Sequence, residues 1–356
     1  MIERDKRGFD NGLYVEKQLE AFNDRLCDGS YDTTIVEFGG KPFGDEHAAR
    51  VLPGYDPDAK AEIVRSLQDD HAFSSSIVVN ARDIFLPPNG RTSRGRIRGD
   101  SGLRYDLETI RLVIEARNRH GINIGSVALA VLPPSLSPEN TEKAGLFVDS
   151  VFSETGLEVK KVREVPEYPD PLCITSPLAV QAFESSEPLS EDPKQNIMLL
   201  SAGGGSGKFG VALTEARARA TKGVSSRFVK FETFPVFGLA SDHPLNLAFI
   251  AATADLGNQL SSHPEGTNYD KDDENYILFN ALAMQYPDCL RGWLAVKSQF
   301  DFGVNVVELG IVDEDIIRSA ATKEIRRRVA RYSREVASGD ECSNTLETVE
   351  SIARKT

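Results

Sequence analysis

Residues 196–208 read NIMLLSAGGGSGK, and a helix-compatible run follows to about Lys222. A short apolar strand that ends in glycines, a serine and a lysine and then turns into a helix is the sequence form of an anion cradle. Glycines permit positive φ and close approach, the helix N-terminus contributes partial positive charge, and Lys208 can meet an oxyanion directly. The phosphate-binding loop of nucleoside triphosphatases reads GxxxxGK[ST]. Here Ala202 takes the place of the first glycine, and Phe209 stands where the magnesium-binding hydroxyl belongs. Ser206 supplies a nearby hydroxyl. The expected phosphate-binding set is Gly203, Gly204, Gly205, Ser206, Gly207 and Lys208.

Outward from this loop the chain alternates strands and helices. TTIVEF (33–38) reads as a buried strand followed by Gly39, Gly40 and Lys41, a second glycine-lysine turn, with His47 and Arg50 beyond it. Polar groups at the carboxyl ends of strands are where open α/β sheets bind ligands. SSIVVNARDI, INIGSVALAVL, LEVKKVREV, SSRFVKFETF and FGVNVVELGIV read as further strands. Helical periodicity is expected in 1–30, in DAKAEIVRSLQ, DLETIRLVIEARNRHG, TEKAGLFVDSVFSETG and LNLAFIAATADLG, and from 313 to 337. Residues 87–106 concentrate Arg91, Arg94, Arg96 and Arg98 with Asp100 in a loop suited to an anion. Residues 258–275 read as a long polar loop able to close over a ligand.

The predicted class is α/β, with two Rossmann-like or P-loop-like domains whose mainly parallel sheets are covered by helices. The acidic spacer ESSEPLSEDPKQ places the boundary between a first domain, 1–185, and a second, 186–338, followed by a polar tail, 339–356.

Composition narrows the function classes. Net charge is −13, which argues against broad binding to a nucleic-acid backbone. No apolar run approaches the ~18 residues of a membrane helix, and the charged start MIERDKRGFD is unlike a signal peptide, so the cytoplasm is the expected location. Four scattered cysteines form no CxxC pair, which points away from a zinc site or a disulfide framework.

GGGSGKFG, KFETFP (230–235), HPLNLAFIAATADL (243–256) and FGVNVV (302–307) together resemble a bacterial family known as domain of unknown function 1846. VEFGGKPFGDEHAARVLPG (36–54), VVNARDI (78–84) and RGDSGLRYD (98–106) match its motifs in the same order. The resemblance implies paired α/β domains, a nucleotide-binding-like glycine loop and a tendency to form homo-oligomers. The family loop usually reads GPGSGK, with Gly204 in place of the proline here. The family normally continues into a further C-terminal α/β segment, so this chain reads as a shortened member.

The expected function is an enzyme that binds ATP or another nucleotide, or a nucleoside phosphate, and performs hydrolysis or phosphoryl transfer. An ATP-dependent ligase or kinase of small-molecule biosynthesis and a non-catalytic nucleotide-sensing assembly protein are the alternatives. Lys208, His47, Asp100 and His243 are the candidate catalytic residues. Lys41, Arg50, Arg98, Glu232 and Asn305 join the glycine loop as candidate ligand contacts. Asp100, Glu232 and Asp255 are the candidate carboxylates for Mg²⁺. A small phosphate-containing substrate is expected as the partner, with neither nucleic acid nor membrane.

Overall fold

Apolar side chains on both faces of a strand require a cover on both faces, and the strands here are of that kind. In the computed structural model, which describes residues 7–26, 31–86, 105–166, 168, 170–294 and 296–356, they form one parallel sheet with helices on either side. Its strands are β1 (Thr33–Phe38), β2 (Ser74–Asn80), β3 (Ile124–Leu132), β4 (Val159–Arg163), β5 (Ile197–Leu200) and β6 (Ser226–Phe231), with β9 (Gly303–Val304) at one edge. A separate antiparallel hairpin joins β7 (Leu260–His263) to β8 (Gly266–Tyr269). The α/β class with a mainly parallel, helix-covered sheet is as expected.

The helices are α1 (Asn11–Leu26), α2 (Glu46–Val51), α3 (Ala59–His71), α4 (Ala81–Ile84), α5 (Tyr105–Asn118), α6 (Pro138–Thr155) and α7 (Pro177–Glu184). They continue with α8 (Lys208–Ala220), α9 (Pro244–Ala252), α10 (Asp270–Gln285), α11 (Arg291–Leu294), α12 (Gln299–Phe302), α13 (Glu314–Ala337) and α14 (Ser343–Ala353). Starts and stops follow local chemistry. Ser137 and Ser176 cap α6 and α7 with a proline in the first turn of each, and Gly156 closes α6 in the left-handed conformation.

The strand period of two divides the core. Val36, Phe38, Val229 and Phe231 face a cluster that includes Phe22 of α1, Ile63 of α3 and Ile317 of α13. Phe22, Phe38 and Phe231 stack, with 4.6 Å between the centroids of Phe38 and Phe231. Ile35, Leu199 and Phe228 face the other way, toward Leu213 of α8, Phe279 of α10 and Trp293 of α11. Burying each such side chain contributes about 1.5–3 kcal/mol.

The strand order is β4-β3-β2-β5-β1-β6-β9. The boundary expected at 185/186 does not part the sheet, because β5 lies between β2 and β1. Among the described residues, β1 pairs only with β5 and β6, both from beyond that boundary.

Three local expectations change. FGVNVV holds only a two-residue strand, because Gln18 of α1 accepts from the Val306 N–H and donates to the Val304 carbonyl, while Asn305 Nδ2 donates to the Pro235 carbonyl. The polar stretch 258–275 is the β7–β8 hairpin followed by the first turn of α10, where Asp270, Asp272 and Asp273 favour the helix dipole. The polar tail after Gly339 contains α14, which buries Val349 and Ile352 against the main core.

Candidate functional site

Beyond their last residues β2 and β5 send the chain in opposite directions, β2 toward β3 and β5 through α8 toward β6. Such a divergence leaves a crevice at the carboxyl edge of a parallel sheet. The glycine loop occupies it. A cavity of about 390 Å³ opens there, lined by Gly204, Gly205, Ser206, Gly207 and Lys208 together with Glu37, Asn80, Lys230, Glu232 and Asp272. That volume falls at the small end of the range for small-molecule sites.

The loop is held from several directions. Gly205 and Gly207 have φ of 80° and 89°, a region L side chains rarely adopt. A Cβ on Gly207 would come 2.6 Å from Val131 Cγ2. Val131 itself has φ of 56°, costly for a β-branched residue, at the irregularity where β3 and β4 shift register. Asn80 Nδ2 donates to the Gly205 carbonyl at 2.9 Å, and Ser201 Oγ donates to that of Gly203 at 2.8 Å. Behind the loop, α8 is buried nearly all round, and its Arg219 pairs with Glu215 at 2.9 Å while donating to the Pro193 and Gln195 carbonyls. This fixes α8 to the segment that enters β5.

Lys208 is buried and donates from Nζ to Ser201 Oγ at 2.8 Å. Among the described residues it makes no ion pair. Burial holds its pKa below the usual lysine value, against the opposing pull of Glu37 and Glu232. Ser206 Oγ, also buried, has no hydrogen-bond partner among them, and Gly207, the N-cap of α8, has no side chain to accept from the first-turn N–H groups. Open donors at a helix N-terminus beside a lysine are groups chemically able to hold an anion.

A second charged group borders the loop. Glu37 and Lys230 are register partners on β1 and β6, and Glu232 follows on the same face. Lys230 Nζ bonds Glu232 Oε1 at 2.7 Å and also Asp272 Oδ1 from α10. Although burial works against the charge of Lys230, the carboxylates Asp272, Glu232 and Glu37 hold its pKa well above the usual range. Burial pushes the Glu232 carboxyl up to about 7, opposed by Lys230. Glu37 is also raised by burial. Gly39 makes room for this group, because a Cβ there would lie 2.2 Å from Glu232 Oε2.

Of the residues expected from sequence, the structure brings Lys208, Gly204, Gly205, Ser206, Gly207 and Glu232 to one cavity, with Gly203 held beside it. Lys41 is exposed just past the Gly39–Gly40 turn that lines the cavity. His47 and Arg50 turn instead to Glu324 of α13, with contacts of 3.6 and 3.1 Å. His243 caps α9, its Nδ1 accepting from the Leu245 N–H and its Nε2 meeting Glu314 at 2.5 Å. Asp255 accepts from the Tyr332 hydroxyl at 3.3 Å, and Asn305 is spent on backbone at the end of β9. Arg98 and Asp100 lie outside the described residues, as do Arg91, Arg94 and Arg96. Among the described residues no three His, Cys, Asp or Glu side chains are grouped to hold a metal ion.

Glu37, Asn80, Lys230, Asp272 and Asn275 were not among the expected site residues. Charged residues next to the carboxyl ends of buried strands, Glu37 in β1 and Lys230 in β6, are the signal that could have marked this group.

The family described as "Domain of unknown function DUF1846, N-terminal" matches residues 7–356. The chain belongs to the DUF1846 family. A UPF0371 protein of Corynebacterium aurimucosum is 32% identical over 352 residues, 97% of this chain and 65% of that protein. UPF0371 proteins of Clostridium botulinum and Clostridium tetani are 32% and 31% identical, over 91% and 94% of this chain and 61% and 63% of theirs. The chain thus spans somewhat less than two thirds of the length of these DUF1846 relatives. Among the described residues no helix is long and apolar enough to cross a membrane.

Proposed function

We propose that this chain binds a nucleotide or nucleoside phosphate at the 203–208 loop and carries out phosphoryl chemistry, as hydrolysis or as transfer to an acceptor. The observation that carries the reading is Lys208, a buried lysine without an ion pair among the described residues, placed at the start of α8 beside the unpartnered Ser206 hydroxyl. In this reading Lys208 and the loop N–H groups hold phosphate oxygens and offset charge as it moves in the transition state. Glu232, titrating near neutrality, exchanges the proton of the attacking group. The P-loop-like character of the second half is part of the same proposal, as are a cytoplasmic setting and assembly into homo-oligomers.

The described residues fit a protein-held magnesium ion poorly. Phe209 is buried against Phe228, Glu232 is engaged by Lys230, and Asp255 bonds Tyr332. Mg²⁺ enters this reading as a counter-ion carried by the nucleotide's own phosphates.

Phe209 in place of a hydroxyl favours a second reading, a nucleotide sensor that binds without turnover. Phosphate release from nucleoside triphosphates, followed with and without Mg²⁺, separates the two. Turnover lost in Lys208→Ala supports the enzyme, and tight binding without turnover supports the sensor. If no phosphate compound binds, both readings fail.

A further inference from the structure

Two carboxylate oxygens in the cavity have no partner among the described residues. Glu37 Oε2 belongs to a side chain 7% exposed and Asp272 Oδ2 to one 1% exposed. Both residues line the cavity beside the glycine loop. Buried acceptors are almost always satisfied, so a buried carboxylate oxygen left open by the protein in a cavity is available to a donor that enters the cavity.

The other oxygen of Asp272 is spoken for. Asp272 Oδ1 is bonded by Lys230 and by Asn275 Nδ2 at 3.1 Å, and Asn275 in turn accepts from the Tyr168 hydroxyl at 2.7 Å. Glu37 sits on β1 beside Lys230 on β6, held there by strand register. The two buried side chains are thus carried by the sheet and by α10, not by surface loops. Their environment already holds a cation. An ammonium group or metal ion at these oxygens would lie against Lys230, which Asp272, Glu232 and Glu37 keep charged. Neutral donors meet no such repulsion, and two open acceptors that both border Lys230 suit neighbouring hydroxyls, the way a strand-end carboxylate holds a ribose diol.

We infer that the carboxylate side of the cavity is a diol subsite, in which Glu37 Oε2 and Asp272 Oδ2 accept hydrogen bonds from vicinal hydroxyls of a sugar phosphate whose phosphate rests on the glycine loop. The inference depends on the proposed role of that loop and names the organic half of its ligand. A sugar phosphate is small enough for the 390 Å³ cavity and carries its hydroxyls a few bonds from phosphorus.

Calorimetric titration of the purified chain with inorganic phosphate, ribose 5-phosphate, 2-deoxyribose 5-phosphate and phosphoethanolamine tests it. Ribose 5-phosphate is expected to bind at least tenfold more tightly than inorganic phosphate, with most of that advantage absent for the 2-deoxy sugar. Glu37→Gln should remove the advantage, so that this variant binds ribose 5-phosphate and inorganic phosphate alike. Asp272→Asn, checked by its unfolding temperature, should do the same, and Lys208→Ala should weaken every phosphate ligand. Ribose 5-phosphate binding no better than inorganic phosphate would overturn the diol subsite and leave the loop reading standing. So would a preference for phosphoethanolamine, or an undiminished sugar advantage in a folded Glu37→Gln protein. Failure of all four compounds to bind would overturn the loop reading and this inference with it.

Discussion

Lys208 Nζ donates to Ser201 Oγ at 2.8 Å and meets no carboxylate within ion-pair distance among the described residues. The ammonium is buried beside a hydroxyl that is itself bonded to the Gly203 carbonyl. A buried charge so placed is poorly compensated in the empty protein and well placed for an incoming anion.

Replacing Lys208 should therefore separate stability from binding. Lys208→Met is expected to change the stability of the ligand-free protein by less than about 1 kcal/mol, because the lost hydrogen bond is offset by relief of a buried charge. Wild-type protein at a phosphate-ligand concentration of 100 Kd should gain about 2.7 kcal/mol, and the variant should gain none. Chemical denaturation with and without ligand measures both quantities.

Glu232 gives a pH signature. Its carboxyl is raised by burial from 4.5 to about 7, so the folded state binds the proton more tightly than the unfolded state does. Its contribution to stability is full below pH 4.5 and is lost as pH rises through about 7. Glu232→Gln cannot ionise. The unfolding temperature of the variant, relative to wild type, should rise between pH 5 and pH 8, and a constant difference across that range would contradict the assignment.

Gly39 is predicted to be intolerant of a side chain. A Cβ there would lie 2.2 Å from Glu232 Oε2 and 2.9 Å from the Phe231 carbonyl oxygen. Gly39→Ala should cost about 1–3 kcal/mol. In a Glu232→Ala background the penalty should shrink but not vanish, because the backbone contact remains. A double-mutant cycle by denaturant unfolding measures the coupling.

Glu324 holds the opposite corner together. It bonds Arg50 at 3.1 Å, Arg327 at 2.7 Å and Arg328 at 2.8 Å, with His47 at 3.6 Å. Burial opposes its ionisation, yet the nearby His47, the hydrogen bonds from Arg327 and the charge of Arg328 hold its pKa far below the usual value. Glu324→Ala should cost about 3–5 kcal/mol by stranding Arg328. The stabilisation is fully present above pH 4.5 and is lost on acidification, so the variant should show a flatter acid limb in its unfolding profile. Its phosphate-dependent stabilisation should match wild type.

What the sequence disclosed was local. Gly205, Ser206, Gly207 and Lys208 are contiguous, and a cradle made by one strand-to-helix turn can be read from one string. Most strands and helices were legible for the same reason, since periods of two and 3.6 are short-range properties. The carboxylate group was hidden because Glu37, Lys230 and Asp272 meet only through strand register and the packing of α10. The first turn of α10 looked like a loop, because DKDDEN offers charges that favour the helix dipole but no apolar stripe. His47, Arg50 and His243 looked like site residues because they sit near strand ends in the sequence. Their side chains are engaged by Glu324 and Glu314, which lie on α13 some 70 or more positions further along.

The position of β5 between β2 and β1 also orders events during synthesis. Among the described residues, both hydrogen-bonded neighbours of β1 are strands that begin at Ile197 and Ser226. A nascent chain that has reached only residue 196 therefore carries β1 with both edges open, more than 150 residues after that strand was synthesised. The first neighbour of β1 leads straight into the glycine loop, so the strand carrying Glu37 gains its first partner just before that loop is made, and its second only after α8.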